Sequence, residues 1–250
     1  GLIQWQSLAF KKSADVMGIK RQAATLRPYG SAGEYYFNRG AGITLQKGKF
    51  EATVFGSFRK ISANFVADTV NNEDFISSFL TMGYHRTAGE NEDRNRLAQT
   101  SFGGNIIFRK PKWHVALNGI AYRFSLPIQK RNEPYNLYAI SGKSWNNFSV
   151  DYSYTHKNFH FFGEAAMDKN NSTAIVNGLL LSVDPRVDFS ILQRTISKSY
   201  QAVNGNAFTE NAYPTNETGL YSGVSIRPKP SWRIDAYADI FKFPWLKYLV

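Results

Sequence analysis

The stretch Asn147-Phe148-Ser149-Val150-Asp151-Tyr152-Ser153-Tyr154-Thr155-His156-Lys157-Asn158-Phe159-His160-Phe161-Phe162-Gly163-Glu164-Ala165-Ala166-Met167 decides how the chain is read. Side chains of an extended strand alternate between two faces. Phe148, Val150, Tyr152 and Tyr154 therefore share one face, and Ser149, Asp151, Ser153 and Thr155 the other. After His156-Lys157-Asn158 the alternation resumes, with Phe159 and Phe161 on one side and His160 and Glu164 on the opposite side. The stretch reads as a hairpin with one apolar and one polar face.

The same unit recurs along the chain. A strand over 34–46 sets Tyr35, Phe37, Ala41, Ile43 and Leu45, with Arg39 the exception on that apolar side, against mostly polar neighbours and turns at Lys47-Gly48-Lys49. The returning strand, 50–61, sets Phe50, Ala52, Val54, Gly56 and Phe58 against Glu51, Thr53, Ser57 and Arg59. Further strands are expected over 98–109, 113–124, 172–183, 187–199, 217–227 and 232–242. A first strand is expected over 1–10, and a short helix can be drawn over 16–26. Polar connections fill 11–33, 62–97, 125–145 and 200–216.

Short and long connections alternate. The tight turns fall near Lys47, Lys110, Lys157, Pro185 and Lys229, always on the same parity, so they share one end of a sheet and the variable loops share the other. Up-and-down outer-membrane barrels combine short turns at one rim, longer loops at the other and strands of about 10 residues. In hydrocarbon every backbone donor and acceptor must be paired within the protein, which a closed sheet achieves with an apolar outside and a polar lumen. The expected fold is thus all-β, an up-and-down antiparallel transmembrane β-barrel. About 10–12 strands can be drawn where complete bacterial barrels have even numbers, so 1–250 is read as one segment of a larger barrel. The Gly1-Leu2-Ile3 start, without Met or a signal h-region, is read as processed or excised.

On this reading Tyr35, Phe37, Phe50, Phe58, Phe108, Trp113, Phe148, Tyr152, Phe159 and Trp232 face lipid or form the interfacial girdles. Glu51, Arg59, Asn105, Asp151, His160, Glu164, Asp188, Arg194, Arg233, Asp235 and Asp239 face the lumen. Asp235 and Asp239 are expected to pair with Arg233 or Arg227, since buried charges need partners. The same alternation would also suit a soluble, secreted β-sandwich that binds glycan or another polymer through its loop aromatics.

Composition narrows the chemistry. There are 14 Tyr, 19 Phe and 5 Trp but no Cys, which removes disulfide frameworks, thiolate metal sites and cysteine nucleophiles. No run reaches the ~18 apolar residues of a membrane-spanning helix. The net charge of +11 could serve nucleic acid, an anionic membrane surface or an anion-attracting channel. The basic residues gather in turns, whereas a nucleic-acid face would interleave them with exposed aromatics, so no nucleic-acid partner is expected.

At Tyr84-His85-Arg86-Thr87, Asp151-Tyr152, Gly163-Glu164, Asp184-Pro185-Arg186 and Phe243-Pro244-Trp245-Leu246 the sequence resembles a family of Bacteroidetes outer-membrane proteins. Full-length members of that family look like a small N-terminal helix-hairpin-helix region followed by a large β-barrel. The resemblance implies a barrel in the bacterial outer membrane. No helix-hairpin-helix can be drawn over 1–33, so no nucleic-acid role is carried over.

Enzymatic chemistry has one candidate, His85, which lies in a loop near Glu90 and Glu92 where a base and an orienting carboxylate could meet. A barrel-type hydrolase is the reading this would support, but no Gly-x-Ser-x-Gly elbow accompanies it. His160 and Glu164 are about 13 Å apart along a strand, too far to share a metal, and a polar lumen network with Asp151 accounts for them better. Asp235 and Asp239 meet the same objection, and no metal or cofactor is expected. The function expected is that of a passive, porin-like channel or a docking component of an envelope assembly. Its partners would be outer-membrane lipid, other envelope proteins and, through an open lumen, small solutes.

Overall fold

The computed structural model describes residues 1–3, 9–10, 15–21, 25–26, 28–30, 35–67 and 74–247. A small ladder joins β1 (Ala9–Phe10) to β2 (Lys20–Arg21). The main sheet then runs through β3 (Gly40–Lys47), β4 (Phe50–Ile61), β5 (Ala63–Val66) and β6 (Phe75–Phe79). After α1 (Ala88–Glu92) follow β7 (Leu97–Lys110), β8 (Trp113–Ile128), β9 (Gly142–His156), β10 (Phe159–Asp168) and β11 (Thr173–Asp184). The last strands are β12 (Val187–Ile196), β13 (Glu217–Ile226) and β14 (Ile234–Lys242). The fold is all-β, an antiparallel up-and-down sheet of 12 strands in which β3, β4 and β7 to β14 lie side by side. β5 and β6 form a short ribbon that touches β8 at Ile76 and Ile128.

The sheet is not closed into a barrel. β3 and β14 each have one neighbour, and their side chains are exposed nearly throughout. The inner face is filled by other parts of the same chain. Leu2, Ile3 and Ile19 join Phe162, Val176, Leu192, Ile196, Tyr200 and Phe208 in one buried apolar cluster. Buried polar groups share the inner face with that cluster, from His114 and Asp151 on β8 and β9 to Arg194 and Glu217 beside the connection 197–216.

Several boundaries differ from those expected. The first strand lies partly outside the described residues, and within them Gly1–Ile3 are buried without strand pairing. Residues 16–19 form a turn rather than a helix, with 22–24 outside the described residues. The strand expected from residue 34 begins at Gly40, because Tyr35 is drawn inward against Phe79 and under Arg59. The connection over 62–97 carries β5, β6 and α1 among its described residues. β8 continues to Ile128 and β9 starts at Gly142, so the loop expected over 125–145 shortens to 129–141.

Turn chemistry keeps the register. Lys47 pairs with Phe50, leaving Gly48-Lys49 as a two-residue loop with Gly48 at φ +60°. Positive φ is what a hairpin turn of that length demands, and glycine meets it without steric cost.

Candidate functional site

The polar part of the inner wall is built from the even-odd alternation of four neighbouring strands. Asn105 on β7 donates to Asn118 on β8. Asn118 Nδ2 donates to Asp151 Oδ2 at 2.7 Å and to Ser149 Oγ at 3.2 Å on β9. Asp151 Oδ1 accepts from His114 Nε2 at 3.0 Å, and His114 Nδ1 lies 2.8 Å from Ser153 Oγ. Asp151 also faces Glu164 on β10 in register. Two carboxylates opposite each other repel unless other donors satisfy them. Glu164 Oε2 finds its donor in the Leu2 amide at 2.8 Å.

This wall grips the chain's own segments. Tyr200 Oη donates to the Leu2 carbonyl, and burial pushes its phenol well above the ordinary value, so it remains a donor. Ser190 Oγ and Tyr221 Oη both donate to the Val16 carbonyl, at 2.6 and 3.2 Å. Lys20 Nζ donates to His160 Nε2 at 2.6 Å, which leaves Nδ1 to carry the proton toward Thr155 Oγ1 at 2.6 Å. Burial lowers the Lys20 ammonium to about 8, against the opposing pull of Asp151. At the far edge Arg233 bridges Asp15 at 2.7 Å and Asp235 at 3.0 Å.

Arg194 on β12 makes the most buried ion cluster. Its side chain is fully buried, with Nε on Glu217 at 2.5 Å and its two terminal nitrogens on Asp239 at 2.9 and 3.2 Å. Glu217 also accepts the backbone amides of Glu210 and Asn211, tying the connection 197–216 to the sheet. Gly219 opposite Arg194 leaves the space the guanidinium fills. Asp168 holds the same connection through the Gln201 amide at 2.9 Å.

The remaining lumen candidates lie as follows. Arg59 is buried, with Nε on Gln99 and a terminal nitrogen on the Tyr35 carbonyl. Asp188 is half-buried and pairs with Arg227. Glu51 is half-buried at the turn end. Asp239 pairs with Arg194 rather than with Arg233 or Arg227, because those two sit nearer the opposite end of the hairpin.

The outward positions form the opposite pattern. Phe50, Phe58, Phe148 and Trp232 are exposed, and Phe108, Trp113 and Phe159 are partly so. Ring contacts link Phe50, Phe108 and Trp113, and Tyr154 meets Phe159, along the short-turn end. Tyr152 reaches across Gly163 to donate to Asn177, which passes the chain of bonds on to Gln193. Tyr35 departs from the expected girdle and belongs to the core. Phe37 lies outside any strand, half-buried beside Tyr29.

One regularity of the outward face escapes a strand-by-strand reading. Phe50 and Lys60, Trp113 and Arg123, Phe159 and Lys169, and Trp232 and Lys242 are each ten positions apart. Six of them hold outward positions of β4, β8, β10 and β14, and Lys169 and Trp232 continue the same parity just beyond the ends of β10 and β14. No Asp, Glu, Lys or Arg occupies an outward position between those limits on any of the ten strands from β3 to β14 in the meander. At a 45° tilt ten residues rise about 24 Å, close to the apolar height of an outer-membrane barrel.

Ser153, His114 and Asp151 have the connectivity of a nucleophile, base and orienting acid, which sequence reading missed because the three converge only through the β8–β9 register. Among the described residues, the Asn118 amide beside them is committed to Asp151 and Ser149 rather than left to stabilise an oxyanion. The trio serves the polar wall. His85 Nδ1 donates to the Glu90 carbonyl at 3.3 Å, while the Glu90 carboxylate accepts the Arg86 and Thr87 amides. That carboxylate caps α1 reciprocally with Thr87. Among the described residues no group of three or more His, Asp or Glu could hold a metal ion. The sequence matches no protein-family model and no curated protein.

Proposed function

We propose that the chain is an integral barrel segment of a bacterial outer membrane, of the Bacteroidetes type its sequence resembles, acting as a plugged docking component of the envelope. The observation that carries this reading is the segregation of charge by face. On the ten strands of the meander every outward position between the aromatic belt and the basic rim is uncharged, with Arg39 just ahead of β3 the exception beside them, while Arg59, Asp151, Glu164 and Arg194 point inward and are buried. Water would reward the reverse arrangement, and a soluble protein rarely exposes a continuous apolar face. A β-sandwich would cover that face with a second sheet, whereas here one sheet leaves it bare.

The outward polar groups fit the same solvent. Tyr152, Asn177 and Gln193 bond to one another, which removes donors and acceptors from hydrocarbon. Lysines at the short turns and above Trp113 suit a headgroup boundary. An open, passive channel is the lesser reading, because the inner wall spends its hydrogen bonds on Leu2, Val16 and Lys20. Full barrel closure then calls for further strands on β3 and β14.

Membrane fractionation of cells expressing the full-length protein, followed by gel mobility with and without boiling, tests the reading. Extraction only with detergent and a heat-modifiable band are expected. A protein that is soluble and monodisperse without detergent would overturn it.

A further inference from the structure

At the long-loop edge of the sheet four connections enclose a cavity of about 480 Å³. Its walls come from the end of β6 and Thr81, from Ile128 at the end of β8, from 130–140, from 198–216 and from 245–247. Volumes of this order, roughly 300–1,000 Å³, hold small ligands.

Three features give the cavity a chemical character. Tyr135, Tyr138, Tyr213 and Trp245 supply flat aromatic surfaces. Lys130, Lys198 and Lys247 line it, and no Asp or Glu does. Among the described residues none of these lysines is in an ion pair, although carboxylates pair with the arginines elsewhere in the molecule. Lys198 Nζ lies 4.5 Å from the Trp245 ring centroid and 5.4 Å from that of Tyr138. A cation on aromatic faces keeps its charge available to an incoming anion.

The walls are held in place before any ligand arrives. Trp245 donates through its amide to Asn216 Oδ1 at 2.8 Å, accepts from Asn216 Nδ2 at 2.9 Å and donates through Nε1 to the Pro134 carbonyl at 3.1 Å. Tyr138 packs edge-on against the same indole. Gln201 and Asn211 bind Thr215, fixing the opposite wall. Preorganised walls lower the ordering cost of binding.

We propose that this cavity binds a short acidic oligosaccharide, its sugar rings laid on Trp245 and the tyrosines and its carboxylates met by Lys130, Lys198 and Lys247. Aromatic faces alone would suit neutral sugars, and lysines alone any small anion. Their convergence without an opposing carboxylate selects ring-bearing anions. Apart from Ser78, Phe79 and Ile128 at the ends of β6 and β8, the cavity is built from loops, so this assignment stands or falls apart from the membrane reading.

Isothermal titration of the detergent-purified full chain provides the test, with trigalacturonic acid, maltotriose, sodium sulfate and oligo(dT) as probes. Trigalacturonic acid is expected to bind more tightly than the other three. The exposed double variant Lys130→Gln/Lys247→Gln, with an unchanged circular dichroism spectrum, is expected to weaken it at least about tenfold, since each lost bond to a charged group is worth that order. Trp245→Phe, which keeps a flat ring, is expected to bind more tightly than Trp245→Ala. No heat with trigalacturonic acid at millimolar concentration would overturn the proposal. So would equal or tighter binding of maltotriose, sulfate or oligo(dT), or an unaltered affinity in the lysine variant.

Discussion

Replacing Leu117 by Arg separates lipid from water as the solvent of the outer face. Leu117 points outward from β8 and is 57 % exposed, with outward Ile106 and Val150 as its register partners on either side. In water such a change touches no core contact and falls within about ±0.5 kcal/mol. In a bilayer the depth matters. Leu117 lies four positions from belt residue Trp113, a rise of about 10 Å at a 45° tilt. Half the apolar height of such a barrel is roughly 12 Å, so position 117 sits near the midplane, where arginine costs about 2–4 kcal/mol. Urea titration of the protein folded into phosphatidylcholine vesicles, read by tryptophan emission and by the unboiled gel band, measures the difference. A loss of that size for Leu117→Arg is expected, with little change for Arg123→Leu at the rim. If Leu117→Arg unfolds within 0.5 kcal/mol of the parent in vesicles, about the range for a water-exposed site, the outer face does not meet hydrocarbon.

Two further outcomes follow from particular groups. Arg194→Met strands the buried Glu217 and Asp239 carboxylates and is expected to cost about 3–5 kcal/mol, whereas Arg194→Met with Glu217→Gln and Asp239→Asn restores most of it; an unfolding free energy from urea titration within about 1 kcal/mol of the parent for the single variant would sink the cluster's role. The Glu90 carboxyl is held below its ordinary 4.5 by the Arg86 and Thr87 amides, so its capping of α1 persists above that value and is lost as pH falls through the lowered one. The Thr87 amide proton shift should report a midpoint under 4.5, and a midpoint at or above it would count against the capping bond.

The hairpin over 147–167 was legible in the sequence because period-two alternation survives any tertiary context that keeps one face polar. Its faces follow the expected split, with Phe148 and Val150 exposed and Asp151 and Glu164 buried. Turn parity was legible for a related reason, since each tight turn carries its own local chemistry at Gly48, Lys157 or Pro185. Tyr35 was misplaced because alternation cannot tell where a strand begins, and a tyrosine that reaches Arg59 looks the same in sequence as one facing lipid. The polar relay through His114 and Ser153 depends on register between strands almost forty positions apart. Neither composition nor spacing encodes that register. The ten-position interval from aromatic to basic residue was available in the sequence all along, but its meaning needs the parity of each strand.

The open edges and the uncharged band make the same demand. Soluble sheets guard a bare edge with lysine, proline or a bulge. The outward positions of β3 and β14 instead carry Ile43, Leu45, Ile234 and Ile240, all at least half exposed. In water these edges would invite pairing with other chains, and in hydrocarbon their free amides and carbonyls would each cost several kcal/mol. Either solvent therefore pushes the two edges toward further strands. The inner side adds a reason for width. A ring of only these strands would have to enclose Leu2, Ile3, Ile19 and the connection 197–216 together with the Arg194 cluster. Additional strands would widen the wall without disturbing the bonds that hold those segments, to which β14 contributes through Asp235 and Asp239 among the described residues. Under the proposed barrel reading, the filled inner face and the unclosed sheet are thus two consequences of one arrangement, in which the inner face is satisfied within this chain and the outer circumference is not.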